Sequence, residues 1–317
     1  MRRLCFLHPL LTASLAAASV AALVVPTAAH AWGPLAHLSF SAQALQQMSA
    51  APPPIRILLA DFAHEFLYGS LAADIVVGKN LARYVYHCHN WRVGFNLYRR
   101  ASPGPEQAFS LGFLSHLAAD TVAHNFFVPY KIVGSFHRLR TGHAYWELRY
   151  DQRMDPDLVG LARRVSHKSF REHDAFLARS LRGSSVLPFR MSRQLFGSLL
   201  ASARSRSFQR LSRLALAPDR KLPLENDLVA ETNALSVAAI VGLFRELEGC
   251  AAARADATGS RNIRVANDLR HRLFARAGTR SLSVGDAHAI ARETREAFRE
   301  SIQGRLDLPD AAARAAA

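Results

Sequence analysis

The sequence predicts an all-α protein, and three observations predict it. Apolar residues recur every three or four positions in one segment after another. Gly, Pro and short polar clusters divide those segments at helix-length intervals. No alternating, β-branched run with a hairpin signal breaks the pattern, and no internal repeat is evident. With 317 residues, 50% of them hydrophobic, the chain can bury one large core, or a core plus a small appendage.

The first segment has the pattern of an export leader rather than of a folded element. Arg2 and Arg3 form a positive start, Leu10 to Val25 is apolar, and Ala29-His30-Ala31 fits the small-x-small cleavage rule. Cleavage there exposes Trp32. A retained anchor is the alternative, but the apolar stretch is short and Pro26 interrupts it. No later segment is read as long and apolar enough to span a bilayer. The expectation is an exported protein, periplasmic or secreted, whose Cys88 and Cys250 meet an oxidising compartment. Their pairing is left open by their distance in sequence.

Next, Gly33 and Pro34 suit the cap and first turn of a helix that Leu38, Phe40, Ala44 and Leu45 continue to about Met48. Pro52, Pro53 and Pro54 end it and begin a second helix through Ile57, Leu58, Phe62, Phe66 and Leu67, which runs into Asp74. Asp74 lies among apolar neighbours, where an unpaired carboxylate is costly, so it is a cap or a ligand. Tyr86-His87-Cys88-His89-Asn90-Trp91 leads into a helix through Val93, Leu97 and Tyr98. A loop from Ala101 to Pro105 precedes the central helix. Asn125 to Pro129 reads as a break, and a helix follows at His143. Further helical periodicity covers Leu158–Arg164, Phe170–Leu181, Met191–Leu214, Asp227–Leu247, Ile263–Ala277 and Asp286–Ile302. The organisation predicted is a leader at 1–31, a helical domain at 32–250, and a helical C-terminal extension at 251–317 with a low-complexity tail.

Charge narrows the partners only slightly. Lys+Arg of 40 against Asp+Glu of 25 gives +15, mostly arginine in the second half. Such an excess favours anionic lipid surfaces, phosphate esters or nucleic acid. No compact Lys/Arg block and no aromatic-interleaved basic strand appears, which favours a solvated arginine surface over a nucleic-acid groove.

The central helix carries the chemistry. His116, Asp120 and His124 recur every fourth residue, and at about 100° per residue they share one face, each roughly 6 Å further along the axis. The outer two are too far apart to meet one ion easily, whereas Asp120 can bridge two through its two oxygens. His143 and Glu147 repeat the four-residue spacing. Eight of the 14 histidines lie between His37 and His143, in a window whose acids are Asp61, Glu65, Asp74, Glu106 and Asp120. Several of those few acids fall at ligand spacings.

Taken in order, Trp32-Gly33-x3-His37, the Asp74 of Gly-Ser-Leu-Ala-Ala-Asp, a His near Trp91, His116-x3-Asp120-x3-His124 and His143-x3-Glu147 resemble the zinc-dependent phospholipase C family, whose superfamily also contains the S1/P1-type nucleases. The resemblance covers about residues 32–150, with weaker continuity to about 250. It implies a multi-helix domain of the phospholipase C/P1 nuclease type holding two or three zinc ions. It places Asp74, His87 or His89, His116 and Asp120 on one ion, and Asp120, His124, His143 and Glu147 on a second. The third would take the α-amino group and carbonyl of Trp32 together with His37 and Asp120. His87 is favoured by alignment on a His-x2-Asp pattern, and His89 by its 15-residue distance from Asp74; both stay open. The four-residue step from Asp120 to His124 departs from the six of the better-known bacterial enzymes and the nucleases, and resembles the branch that cleaves glycosylphosphatidylinositol.

The activity implied is hydrolysis of a phospholipid or other phosphodiester by a zinc-bound hydroxide, with Asp74 as the proton acceptor and a peripheral contact with an anionic membrane surface. Nucleic acid is not a partner in this reading. Arg83, Arg92 and Arg149 are phosphate-binding candidates, each also explicable as a surface residue. A nuclease with the same metals and a non-catalytic exported metal-binding protein are the alternatives.

Overall fold

A computed structural model describes residues 33–75, 88–138, 142–167, 170–181, 191–194, 196, 222–310, 312 and 315. Among them every regular element is a helix, as the periodicity predicts. The first group is α1 (Pro34–Gln46), α2 (Pro53–Asp61), α3 (Ala63–Ala72), α4 (Trp91–Arg100) and α5 (Pro105–Val122). Then come α6 (Val128–Gly134), α7 (His143–Asp151), α8 (Leu158–His167) and α9 (Arg171–Ser180). The last three are α10 (Asn226–Glu246), α11 (Ser260–Gly278) and α12 (Val284–Glu300). Most of the helix expected at Met191–Leu214 lies outside the described residues.

α5 is the axis of the molecule. Every residue from Ala108 to Val122 is buried, with α3, α10, α4 and α1 packed around it. A helix walled in on all sides can carry His116 and Asp120 only if other buried groups answer them. The tightest of these contacts is with α3. A Cβ at Gly69 would overlap the carbonyl oxygen of Phe109, and one at Gly112 would overlap that of Phe66, so the two helices cross backbone against backbone. That crossing brings the short 3-10 turn Ala73–Ile75, which carries Asp74, alongside His116.

Three departures from the sequence reading have physical causes. The second predicted helix is two, because Phe62 turns to φ −125° and ψ 39° between α2 and α3. The break expected at Asn125 to Pro129 is instead a π-helical turn, Ala123–Phe127, that runs on into α6. Pro129 has no N–H for the carbonyl of Asn125, and that carbonyl accepts from the Ser301 hydroxyl at 2.8 Å. The third concerns α10, which by length and composition is apolar enough to cross a membrane. Its Leu228, Val237, Ile240, Leu243 and Phe244 are buried, and it packs against α5 and α1 as a core helix.

The C-terminal helices belong to the same packed core. α11 and α12 both lie against α6, and Leu269, Leu273 and Phe298 join the buried cluster that contains Phe113 and Phe126. No disulfide joins Cys88 and Cys250, which are both buried.

Candidate metal centre

Three groups of ligand-type side chains gather along α5 and the π-helical turn that follows it. His37, His116 and Asp120 form one; Asp74, His89 and His116 a second; and His124, His143 and Glu147 a third, the donor atoms of each lying within 4.8 Å of one another. Asp120 joins the first two. Its Oδ1 lies 3.3 Å from His37 Nε2, and its Oδ2 lies 3.3 Å from His116 Nε2 and 3.4 Å from His89 Nε2. Asp74 Oδ1 reaches the same pair, 3.6 Å from His89 Nε2 and 3.8 Å from His116 Nε2. In the third group Glu147 Oε1 sits between His143 Nε2 at 2.7 Å and His124 Nε2 at 3.1 Å. Trp32 and His87 lie outside the described residues.

Two of the imidazoles are fixed from behind. His116 Nδ1 meets the Ser70 carbonyl at 2.9 Å, next to the Gly69 crossing, and His124 Nδ1 meets the Ala257 carbonyl at 2.6 Å. A carbonyl only accepts, so each Nδ1 donates its proton, and Nε2 is the nitrogen that faces the cluster. His89 Nε2 is only 2.9 Å from His116 Nε2, and the His37 and His116 rings stack at 3.6 Å. Imidazole nitrogens and carboxylates thus converge in a nearly dry space.

The electrostatics reflect that crowding. Burial would raise the carboxyl of Asp120, but the charges of His116 and His124, with the contacts to His116 and His37, outweigh it and hold it well below the usual range. For Glu147 burial wins: it lifts the carboxyl to about 8 despite His124, and Asp120 and Asp74 add to the rise. Burial and the nearby His116 push His37 down. Both oxygens of Asp120, both ring nitrogens of His37 and Glu147 Oε2 are buried without a hydrogen bond among the described residues. Such groups are costly unless something answers them, and a cation in each donor group would answer the carboxylate oxygens and the imidazole nitrogen that face it. Oxygen and nitrogen donors without a thiolate are the set that suits zinc in a catalytic setting, so the residues present fit that metal. The most open members are Asp74 and His143, with side chains 13% and 17% exposed.

The sequence reading missed Asp151. Its half-buried carboxylate accepts from the Ala36 backbone N–H at 2.8 Å, fills the space where Gly33 would carry a Cβ, and so caps the start of α1. Burial lifts it to about 7. A signal was available, because Asp151 continues the His143, Glu147 four-residue step. Of the arginine candidates, Arg149 is buried and donates to the Tyr145 hydroxyl at 2.8 Å, Arg92 is exposed on the first turn of α4, and Arg83 lies outside the described residues.

Comparison with known proteins adds one finding. Residues 36–183 match the family model described as zinc dependent phospholipase C. No curated protein and no solved structure matches the chain.

Proposed function

Residues 36–183 belong to the zinc-dependent phospholipase C family, and on that premise we propose that the protein is an exported phosphodiesterase acting on the head-group phosphodiester of a phospholipid. The observation that carries the proposal is the meeting of three donor groups along α5 and the π-helical turn that continues it, two of them sharing His116 and joined by Asp120. In this reading Asp74, His89 or His87, His116 and Asp120 hold one zinc. Asp120, His124, His143 and Glu147 hold a second, and Trp32, His37 and Asp120 a third. The working domain is 32–250 and 251–317 is its extension. The leader, 1–31, is removed on export.

Zinc, when bound, supplies an activated water at neutral pH and positive charge against the phosphoryl oxygens during in-line displacement. The rest is done by the chain. His116 and His124 present Nε2 because Ser70 and Ala257 hold their Nδ1 protons. Asp120 stays ionised in a buried place and so keeps its bridging charge. Asp74, the most open carboxylate, is the residue able to take the proton of the attacking water. The positive excess, +15 in the full chain and reduced only by Arg2 and Arg3 when the leader is removed, favours peripheral contact with an anionic membrane.

Purified mature protein, assayed on phospholipid vesicles and on single-stranded nucleic acid, tests the proposal. Release of a phosphorylated head group that stops on chelation and returns with zinc is the expected result. Cleavage of nucleic acid alone, or no hydrolysis by zinc-replete protein, would overturn it.

A further inference from the structure

The stretch matched by the family ends at residue 183, yet one bond inside the metal centre comes from far beyond it. His124 Nδ1 donates to the carbonyl of Ala257, in the segment between α10 and α11. The neighbouring carbonyls are used in the same way. Trp91 Nε1 donates to the carbonyl of Ala255 at 3.0 Å, and Asn125 Nδ2 to that of Asp256 at 2.9 Å. Three successive carbonyls therefore each take a side-chain N–H from the two segments that carry His89 and His124.

The segment is itself held rigidly. The Asp256 carboxylate accepts from the Thr258 N–H at 3.0 Å and from its hydroxyl at 2.7 Å, closing a tight turn. Gly259 takes φ +54°, and a Cβ there would overlap the carbonyl oxygen of His124, so backbone lies directly on backbone. Asn262, on α11, donates to Asn125 Oδ1 at 2.9 Å and to the Ser301 hydroxyl at 2.8 Å. Ser301 in turn donates to the carbonyl of Asn125 that Pro129 leaves without its helical partner.

We infer that residues 255–259 are a positioning strap that fixes the ring of His124, so that the C-terminal extension is an integral part of the metal centre rather than an appendage. The inference rests on the metal-centre reading above. A carbonyl behind a ligating imidazole sets which nitrogen bears the proton and where the ring points, and losing such a partner typically costs about 10–100-fold in metal affinity. The strap holds one ring of the three groups directly, so its loss falls on the His124, His143 and Glu147 site and spares the sites of His37 and Asp74.

Gly259→Ala and Asp256→Ala test this, with Asp256→Asn as the conservative partner that keeps an acceptor for the Thr258 N–H. Zinc is removed and returned in competition with a chelator, and the full chain is used throughout. Expected is about a 10-fold or greater weakening of one zinc class in the two alanine variants, with the other classes within about twofold of wild type and most of the loss recovered in Asp256→Asn. Substitution with cobalt should show the altered ligand field of that one site. Should Gly259→Ala fail to fold by circular dichroism, Asp256→Ala decides. Unchanged affinity at every site in a folded variant overturns the strap, and so does equal weakening of all sites. Wild-type protein that binds no zinc overturns the metal-centre reading as well, whereas zinc-replete wild type with indifferent variants overturns the strap alone.

Discussion

Gly69→Ala should damage both the fold and the metal centre, because one close approach serves both. The added methyl would overlap the carbonyl oxygen of Phe109 and stand 2.9 Å from its carbon. Relief requires α3 and α5 to separate by on the order of 1 Å, and overpacking of this kind costs about 1–3 kcal/mol. The same shift stretches the 2.9 Å bond from His116 Nδ1 to the Ser70 carbonyl beyond hydrogen-bond range, leaving two buried groups unsatisfied at about 1–3 kcal/mol more. Together these amount to about 2–6 kcal/mol, a fall in Tm of roughly 3–10 °C for a chain of this size. Thermal unfolding of chelator-stripped protein isolates the packing effect, and zinc titration of the refolded variant reads the site. A Tm within 1 °C of wild type, or undiminished zinc affinity at the site of His116 and Asp74, would refute the claim that this crossing places the ligands.

Three further outcomes are expected. Asp120→Asn keeps the size of the side chain but removes a charge shared by two donor groups, so it should cost more zinc and more activity than His37→Ala; equal, mild losses measured by elemental analysis would remove Asp120 as the hub. Metal-free protein should lose stability as pH rises from about 6.5 to about 8, because Glu147 is lifted from 4.5 to about 8 and Asp151 from 3.8 to about 7. A raised carboxyl stabilises the protonated native form and its contribution disappears as pH passes the folded value. The opposing contribution of His37, lowered from 6.5, is already complete at the start of that window. Tm against pH should therefore slope downward in wild type and less steeply in Glu147→Gln, and an upward slope would contradict the assignment. Finally, protein made in the cytoplasm with a retained methionine before Trp32 should fold yet hold less zinc, with recovery on accurate cleavage; full occupancy with the methionine confirmed by mass spectrometry would exclude the terminal amine as a ligand.

What could be foreseen in the sequence was whatever local periodicity fixes. The four-residue step of His116, Asp120 and His124 needs only helix geometry, and Asp74 announced itself as an acid in apolar surroundings. Helix partners were not legible, because the Gly69 and Gly112 crossing depends on two segments far apart in sequence, and neither glycine differs locally from a tolerated one. Pro129 misled for a related reason. Its missing N–H ordinarily ends a helix, but the orphaned carbonyl of Asn125 is satisfied by Ser301, 176 residues away. Ala257 was invisible for the same reason, since a backbone carbonyl has no residue-type signature. Asp151 was within reach, but as a cap for α1 it serves a helix more than a hundred residues earlier.

If the buried histidines and carboxylates on and around α5 are a zinc centre, elemental analysis of gently purified mature protein will find two or three zinc ions per chain, removed by chelation together with a drop in Tm. Less than one equivalent of any transition metal, with Tm indifferent to chelator, would mean that these residues hold no zinc.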